Sequence, residues 1–221
     1  MAKVFLSAGH GGNDPGAVAY GLKEKDINLN IMLACNDVLV RHGVMTVLSR
    51  TKDENDPVSQ EVNEANNSKA DIAVSFHTNA GGGDGSEALY YSTSVKGKKL
   101  ATLCEKHVMS LGQNSRGVKE RDDLYFLKGT RMPAVLCECA FIDNDKDNKI
   151  INTVNKQKAF GVAYAKAILE YLGITYKTDS NTSDNSVYTV QVGSFKSKEN
   201  ADNMLVKLKN AGFSGAFIKK V

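Results

Sequence analysis

Two histidines and two glutamates, far apart in the sequence, are the residues of this chain that could carry chemistry. His10, Glu24 and His77 could together bind a divalent metal, because two imidazoles and a carboxylate form a tripod that leaves one coordination position open. Glu138 belongs to a different hydrophobic segment and could act as a general base. This combination of side chains is typical of zinc hydrolases.

Each of these residues, taken singly, has a simpler explanation. A histidine that follows a strand is more often a hydrogen-bonded loop residue than a metal ligand. Glu24 alone would suit the first turn of a helix, where the helix dipole favours a carboxylate. Glu138 is harder to explain in this way, because its neighbours are apolar and a buried carboxylate needs a compensating partner. A metal ion or a substrate amine would provide that partner.

The hydrophobic pattern places these residues at one edge of a predicted sheet. Short apolar segments alternate with helical patterns, which indicates an α/β fold with a mostly parallel twisted sheet and helices on both faces. Sites in such sheets lie at the carboxyl ends of the strands, so His10, His77 and Glu138 should converge there. Glu24 would lie in the long loop 9–25, which returns over the same edge. The predicted strands are 3–8, 44–48, 72–76, 87–91, 124–127 and 134–139, and the predicted helices are 26–41, 58–70, 96–111 and 155–172.

The ends of the first predicted helix carry recognisable signals. Asp26 is a residue type that commonly caps a helix N-terminus. Gly43 is the type that commonly follows a helix C-terminus. The sequence therefore predicts that this helix begins at about Asp26.

The C-terminal part of the chain differs in composition. Residues 175–186 are small and polar without periodicity, which predicts a flexible linker between a catalytic domain (1–174) and a small module (187–221). The module is predicted to be one β-α-β unit, with strands at 187–192 and 216–221 around a helix at 198–211. Its six lysines and two acidic residues give it a net charge of +4, which favours an anionic partner. The residues expected to share one face of the helix are Ala201, Met204, Leu205 and Leu208.

The composition argues against several functional classes. The chain has 221 residues, of which 42% are hydrophobic, and this suits one α/β domain with a small appendage. No apolar run approaches the ~20 residues that a membrane span needs. Nucleic acid is not an expected partner, because the basic excess is confined to the tail and there is no Trp. The four cysteines lack metal-binding spacing and are expected to be reduced core residues: Cys35, Cys104, Cys137 and Cys139.

Four motifs follow one another along the chain: GHGGNDPGA at 9–17, GLKEKD at 21–26, SFHTNA at 75–80 and MPAVLCECAF at 132–141. In this order they resemble the zinc-dependent N-acetylmuramoyl-L-alanine amidases of the amidase-3 type. The resemblance covers about residues 3–173. It implies that His10, Glu24 and His77 bind Zn²⁺ and that Glu138 is catalytic in hydrolysis of the amide between N-acetylmuramic acid and L-alanine. Asn79 could also hydrogen-bond substrate, although a role as a turn residue is nearly as good an explanation.

The chain departs from the family pattern at three positions. Cys137 and Ala140 replace the usual Val and Gly around the glutamate, which should change packing and leave the chemistry intact. Glu61 stands where many members carry Arg, so any role for that position is in doubt here.

The tail resembles half of a sporulation-related repeat of the SPOR type, through YTVQVGSF at 188–195 and AGF at 211–213. Members of that class bind peptidoglycan. A complete domain has two β-α-β halves, and about 35 residues cannot bury enough apolar surface alone. We therefore predict that two chains pair their tails and form a homodimer. The alternative is a tail that docks on its own catalytic domain.

The leading interpretation is a cell-wall amidase that acts on peptidoglycan. The N-terminal apolar stretch is too short for a secretory signal, so we expect synthesis in the cytoplasm. Access to the wall would follow holin-mediated release, as for a phage endolysin, or lysis of a sporulating mother cell. The alternatives are a zinc peptidase that cuts within the stem peptide and a peptidoglycan-binding protein without activity.

Overall fold

The structure, a computed structural model, describes residues 1–178, 192–213 and 215–219. It divides into two compact units, Met1–Thr178 and Asp179–Val221. The predicted domain boundaries at 174 and 187 stay predictions. Most of the predicted linker (179–186) and of the first tail strand (187–191) lies outside the described residues.

A six-stranded mixed sheet forms the centre of the first unit, and a two-stranded hairpin lies beside it. The strands are β1 (Lys3–Ala8), β2 (Val18–Ala19), β3 (Leu22–Lys23), β4 (Met45–Leu48), β5 (Ile72–Asn79), β6 (Ser86–Tyr90), β7 (Ser115–Glu120) and β8 (Ala134–Phe141). The order in the large sheet is β4-β1-β5-β8-β6-β7, and the hairpin joins β2 to β3. All neighbours in the large sheet are parallel except β6 and β8, which are antiparallel. The predicted mostly parallel sheet is confirmed.

Helices cover both faces of this sheet, as predicted. The helices of the first unit are α1 (Glu24–Arg41), α2 (Val58–Ser68), α3 (Val95–Met109), α4 (Tyr125–Gly129), α5 (Asp145–Ile151) and α6 (Val154–Leu172). Helices α1, α3 and α6 bury one large core against the sheet. Helices α2 and α4 bury a smaller core against the other face. None of the described helices combines the length and apolarity needed to cross a membrane.

The start of α1 differs from the prediction. The helix begins at Glu24, two residues before the predicted N-cap Asp26, and Lys23 is its N-cap without a side-chain hydrogen bond. Backbone groups replace the missing cap, because Glu24 N donates to Ala17 O at 2.9 Å and Lys25 N donates to Pro15 O at 3.1 Å. Glu24 is therefore the first helical residue and does not belong to the loop.

The segment 124–127 was predicted as a strand, and this was wrong. It leads into α4, whose Phe126 and Leu127 are buried in the smaller core. A four-residue apolar run has too little length for its period to separate strand from helix, which explains the error. The strand β7 and the polar helix α5 were not predicted.

All four cysteines are buried and free, as predicted. Cys137 and Cys139 belong to the large core, on the face of β8 opposite to Glu138, since side chains alternate along a strand. They pack in the core and do not face the candidate site.

Helices α1 and α6 approach closely at Gly161. A Cβ atom added there would lie 2.3 Å from Ile31 O and 2.7 Å from Ala34 Cβ. We expect Gly161→Ala to lower the free energy of unfolding by about 1–3 kcal/mol, because overpacking outweighs the better helix propensity of alanine. Urea unfolding of both proteins measures this. Lys158→Ala, on the exposed side of the same helix, should change it by less than about 0.5 kcal/mol, and an equal effect of both changes would contradict the expectation.

The second unit contains one described helix, α7 (Lys198–Asn210), close to the predicted 198–211. It ends before Gly212, whose φ of 95° suits a glycine at this position. The four residues predicted to share a face of α7 are half-buried, but none of its residues is fully buried. Residues 216–219 of the predicted second tail strand form no strand pairing with another described tail residue, and most of the predicted partner strand lies outside the described residues, so this strand stays a prediction. Residues 220–221 lie outside the described part.

Candidate active site

His10, Glu24 and His77 come together at the carboxyl ends of β1 and β5. The Glu24 carboxylate lies between the two rings, with Oε1 at 3.2 Å from His10 Nε2 and 3.1 Å from His77 Nδ1. One potential ligand atom from each residue lies within 4.8 Å of the others. The structure thus brings together the three residues that the sequence suggested as metal ligands.

The backbone at His10 is unusual. His10 has a φ of 66°, in the left-handed region. A residue other than glycine adopts this backbone conformation at a cost of roughly 1–2 kcal/mol. The neighbouring Gly9 is required by a close approach, because a Cβ there would lie 2.1 Å from His77 Cε1. This strained turn points the His10 ring at Glu24 and leaves room for the His77 ring against bare backbone.

Asp14 orients the His10 ring and was missed by sequence reasoning. Its Oδ2 lies 2.8 Å from His10 Nδ1, so Nδ1–H donates to this carboxylate and Nε2 faces Glu24. A second hydrogen bond of this kind fixes the tautomer of a metal-binding histidine. The spacing of four residues in a loop carried no signal that could have identified the pair.

Glu24 is held by several donors. Ala17 N donates to Oε2 at 2.9 Å, Thr78 N donates to Oε1 at 3.0 Å and Asn28 Nδ2 donates to Oε1 at 3.3 Å. Burial alone would raise the pKa of Glu24, but hydrogen bonds from His10 and His77 outweigh it and hold this pKa well below its usual range. The hydrogen bond to Glu24 raises the pKa of His10 to about 9. The carboxylate therefore stays charged between the two rings.

His77 and Glu138 are neighbours in the sheet. The predicted strand ended at residue 76, which implied that His77 lies in the loop after it. Strand β5 instead continues to Asn79, so His77 lies within the strand. His77 stands opposite Glu138 of β8 in the parallel register, and both side chains face the α2 and α4 side of the sheet. The predicted general base is thus adjacent to the cluster.

Glu138 has a buried carboxylate oxygen without a partner. Its Oε2 accepts no hydrogen bond from any described residue. Burial raises the pKa of Glu138 to about 7, and the neighbouring His77 partly opposes this. An orphaned buried oxygen of this kind needs an explanation, and a ligand between Glu138 and the cluster would supply the missing partner.

Two further residues singled out in the sequence have defined contacts. The Asn79 side-chain amide donates to Glu87 Oε1 at 3.2 Å, so one of its two N–H groups is already used. Glu61 lies buried on α2 and accepts a hydrogen bond from Ser7 Oγ at 2.7 Å, which ties it to β1.

An open, mostly parallel sheet with an imidazole and carboxylate cluster at its carboxyl edge has its candidate site where α/β enzymes of this architecture bind their ligands. The family described as N-acetylmuramoyl-L-alanine amidase matches residues 4–170, and the chain belongs to this family. The SPOR domain family matches residues 162–220, a range that begins within α6.

Characterised relatives extend over most of the chain. The sporulation-specific N-acetylmuramoyl-L-alanine amidase of Bacillus subtilis is 33% identical over 224 residues, which cover 100% of this chain and 86% of that protein. The endolysin of Bacillus phage SPP1 is 37% identical over 184 residues, covering 79% of this chain and 68% of the endolysin. The catalytic domain of CwlV, an N-acetylmuramoyl-L-alanine amidase of Bacillus (Paenibacillus) polymyxa, superposes with a TM-score of 0.74 at 30% identity over 79% of this chain and 100% of that domain.

Proposed function

We propose that this chain hydrolyses the amide bond between N-acetylmuramic acid and L-alanine in peptidoglycan, with Zn²⁺ bound by His10, Glu24 and His77 and with Glu138 as general base. The family membership supports the reaction. The main support for separate roles, metal ligands on one side and a general base on the other, is the register of β5 and β8. In this register Glu138, whose Oε2 has no partner among the described residues, is the neighbour of His77 of the His/Glu/His cluster.

The donor set fits zinc. Two imidazole nitrogens and one carboxylate oxygen are the ligands of several catalytic zinc sites, which keep a fourth position open. When bound, zinc would lower the pKa of a water molecule and polarise the substrate carbonyl. The Asp14 carboxylate would keep the His10 ring in the tautomer that presents Nε2.

Glu138 would move the proton. Its free Oε2 would accept the proton of the attacking water and then pass it to the L-alanine nitrogen as the C–N bond breaks. The products are a lactyl carboxylate on the sugar and a stem peptide with a free L-alanine amine. Asn79 would contact substrate through its second N–H.

Mass spectrometry of products from purified peptidoglycan tests this function. We expect intact stem peptides with a free L-alanine amine, loss of activity after zinc is stripped and recovery when zinc is restored. A zinc peptidase would instead release fragments of the stem, and a protein that only binds the wall would release nothing. Full activity after complete removal of metal would contradict the proposed role of zinc.

The relatives suggest two settings. One relative is named as a sporulation-specific amidase, and another relative is named as a phage endolysin. Release through a holin or lysis of a mother cell would each bring this chain to the wall, and both remain part of the proposal.

We also propose that the tail binds peptidoglycan and that two tails pair. The SPOR match supports the first part. Large apolar side chains exposed on a small unit support the second, since Phe213 is 61% exposed and Phe217 67% exposed. Pairing would bury them and tether two catalytic units to the wall, which raises avidity.

Light scattering tests the pairing. The full chain should have twice the mass of one chain, whereas residues 1–178 and the Phe217→Asp variant should be monomeric. A full-length protein that is monomeric at all accessible concentrations would overturn the pairing and leave the amidase proposal intact.

A further inference from the structure

The edge of the sheet beyond Glu138 carries a group of charges that the reaction does not use. Glu87 of β6 stands opposite Glu138 in the antiparallel register, so the two carboxylates share a face of the sheet. Glu87 Oε2 accepts hydrogen bonds from Arg116 Nε at 2.9 Å and from Lys119 Nζ. One buried acid is thus paired with two cations of the edge strand β7, which leaves one positive charge in excess.

A bulge in β7 brings both cations to this face. Ser86 pairs with Ser115 but Ala88 pairs with Val118, so β7 has one extra residue opposite Glu87. Gly117 accommodates the bulge with a φ of 83°, in the left-handed region that favours glycine. Residues 116 and 119 would lie on opposite faces of a regular strand. The bulge places both side chains on the face of Glu87.

Arg116 is held in place but remains accessible. Its guanidinium carbon lies over the Phe141 ring, 5.0 Å from the ring centre, and this contact holds the group against the ring. Its side chain is 37% exposed, and that of Lys119 is 42% exposed. Among the described residues, none accepts a hydrogen bond from the two terminal nitrogens of Arg116. Arg121, in contrast, is already paired with both oxygens of Asp123.

We propose that Arg116 and Lys119 form a carboxylate-binding subsite that recognises a free carboxylate of the stem peptide close to the cleaved amide. The free guanidinium nitrogens suit a carboxylate, and Lys119 adds a point charge beside them. Strands β8, β6 and β7 are neighbours, so the pair lies about 10 Å across the sheet from Glu138. Two extended residues span about 7 Å, and the cationic side chains cover the remaining distance.

This subsite rests on the proposed function, because it would bind the stem peptide that the amidase releases. The residue after L-alanine in a stem peptide carries an α-carboxylate outside the peptide backbone. Amidation of that group gives an isoglutamine of nearly the same shape without charge. The proposed subsite therefore distinguishes two natural forms of one substrate.

Two muramyl tripeptides that differ only in this group, D-isoglutamate against D-isoglutamine, provide the test. Wild-type protein loaded with zinc should cleave the carboxylate form with a kcat/KM at least about tenfold higher, the scale of a hydrogen bond between charged groups. Arg116→Gln and Lys119→Gln should each reduce this ratio toward one. Arg131→Gln, an exposed arginine before β8, should leave the ratio unchanged.

The ratio separates recognition from damage to the fold, because a folding defect lowers kcat/KM for both substrates alike. Equal kcat/KM values for the two tripeptides with wild-type protein would overturn the subsite while the amidase function stands. A ratio that Arg116→Gln and Lys119→Gln both leave at the wild-type value would also overturn it. Failure of wild-type protein to release an L-alanine amine from either tripeptide would overturn the proposed function itself.

Discussion

Glu138→Gln is expected to reduce kcat by about 10²–10⁴-fold, the usual contribution of a general acid or base, while bound zinc is retained. Glutamine preserves the size of the side chain but cannot accept the proton of water or return it to the departing nitrogen. Glu138 is not one of the three clustered residues proposed as ligands, so metal content should not change. Release of L-alanine amines and zinc per chain are the two quantities to measure.

Glu170→Gln is a matched control, because Glu170 lies at the exposed end of α6, away from the cluster, and forms ion pairs with Lys106 and His107. It should keep wild-type activity. Near-normal turnover by Glu138→Gln would remove this residue from the mechanism. Loss of zinc together with activity would instead make Glu138 part of the metal site.

Glu24→Gln is expected to weaken zinc binding by at least about 100-fold, and activity should fall with it. Loss of a residue that only hydrogen-bonds to a metal ligand lowers metal affinity by up to about 100-fold, and loss of a ligand should cost at least as much. The substitution removes the charge that lies between His10 and His77. It also replaces one of the two carboxylate oxygens with an NH₂ group, so that the backbone N–H of either Ala17 or Thr78 would face a donor in place of its acceptor. Competition with a chromophoric chelator measures the zinc affinity.

Added zinc at high concentration should restore part of the activity of Glu24→Gln, because Glu138 is still present. Glu170→Gln again serves as the control and should bind zinc as the wild type does. Undiminished zinc affinity in Glu24→Gln would exclude Glu24 from the ligand set.

The convergence of the four site residues was predictable from the sequence. His10 follows an apolar strand, and His77 and Glu138 lie near the ends of two others, in a mostly parallel sheet whose strands' carboxyl ends meet at one edge by topology alone. The order of strands was not needed for that inference. The pairing of His77 with Glu138, in contrast, follows from the register of β5 and β8, which local patterns do not encode.

The supporting residues could not be predicted for a related reason. Thr78 of β5 reaches Glu24 only after α1 has packed on β5, so its role depends on a tertiary contact. Asn28 lies one turn after Glu24 in α1, and its role depended on placing the start of that helix correctly. The β7 strand was missed because its bulge breaks the alternation by which a strand is identified. The start of α1 was misplaced because backbone carbonyls, and not a capping side chain, satisfy its first N–H groups.

The two faces of the sheet are covered unequally, and this has a consequence for polymeric substrates. Three long helices cover one face, whereas the described helices on the face that bears Glu138 are α2 and the five-residue α4. The cluster reaches the protein surface, with the His10 and His77 side chains 27% and 19% exposed. A glycan chain can therefore lie across the protein without threading an end into it. The enzyme should therefore release stem peptides from interior positions of intact glycan chains, whatever the distance to a chain end.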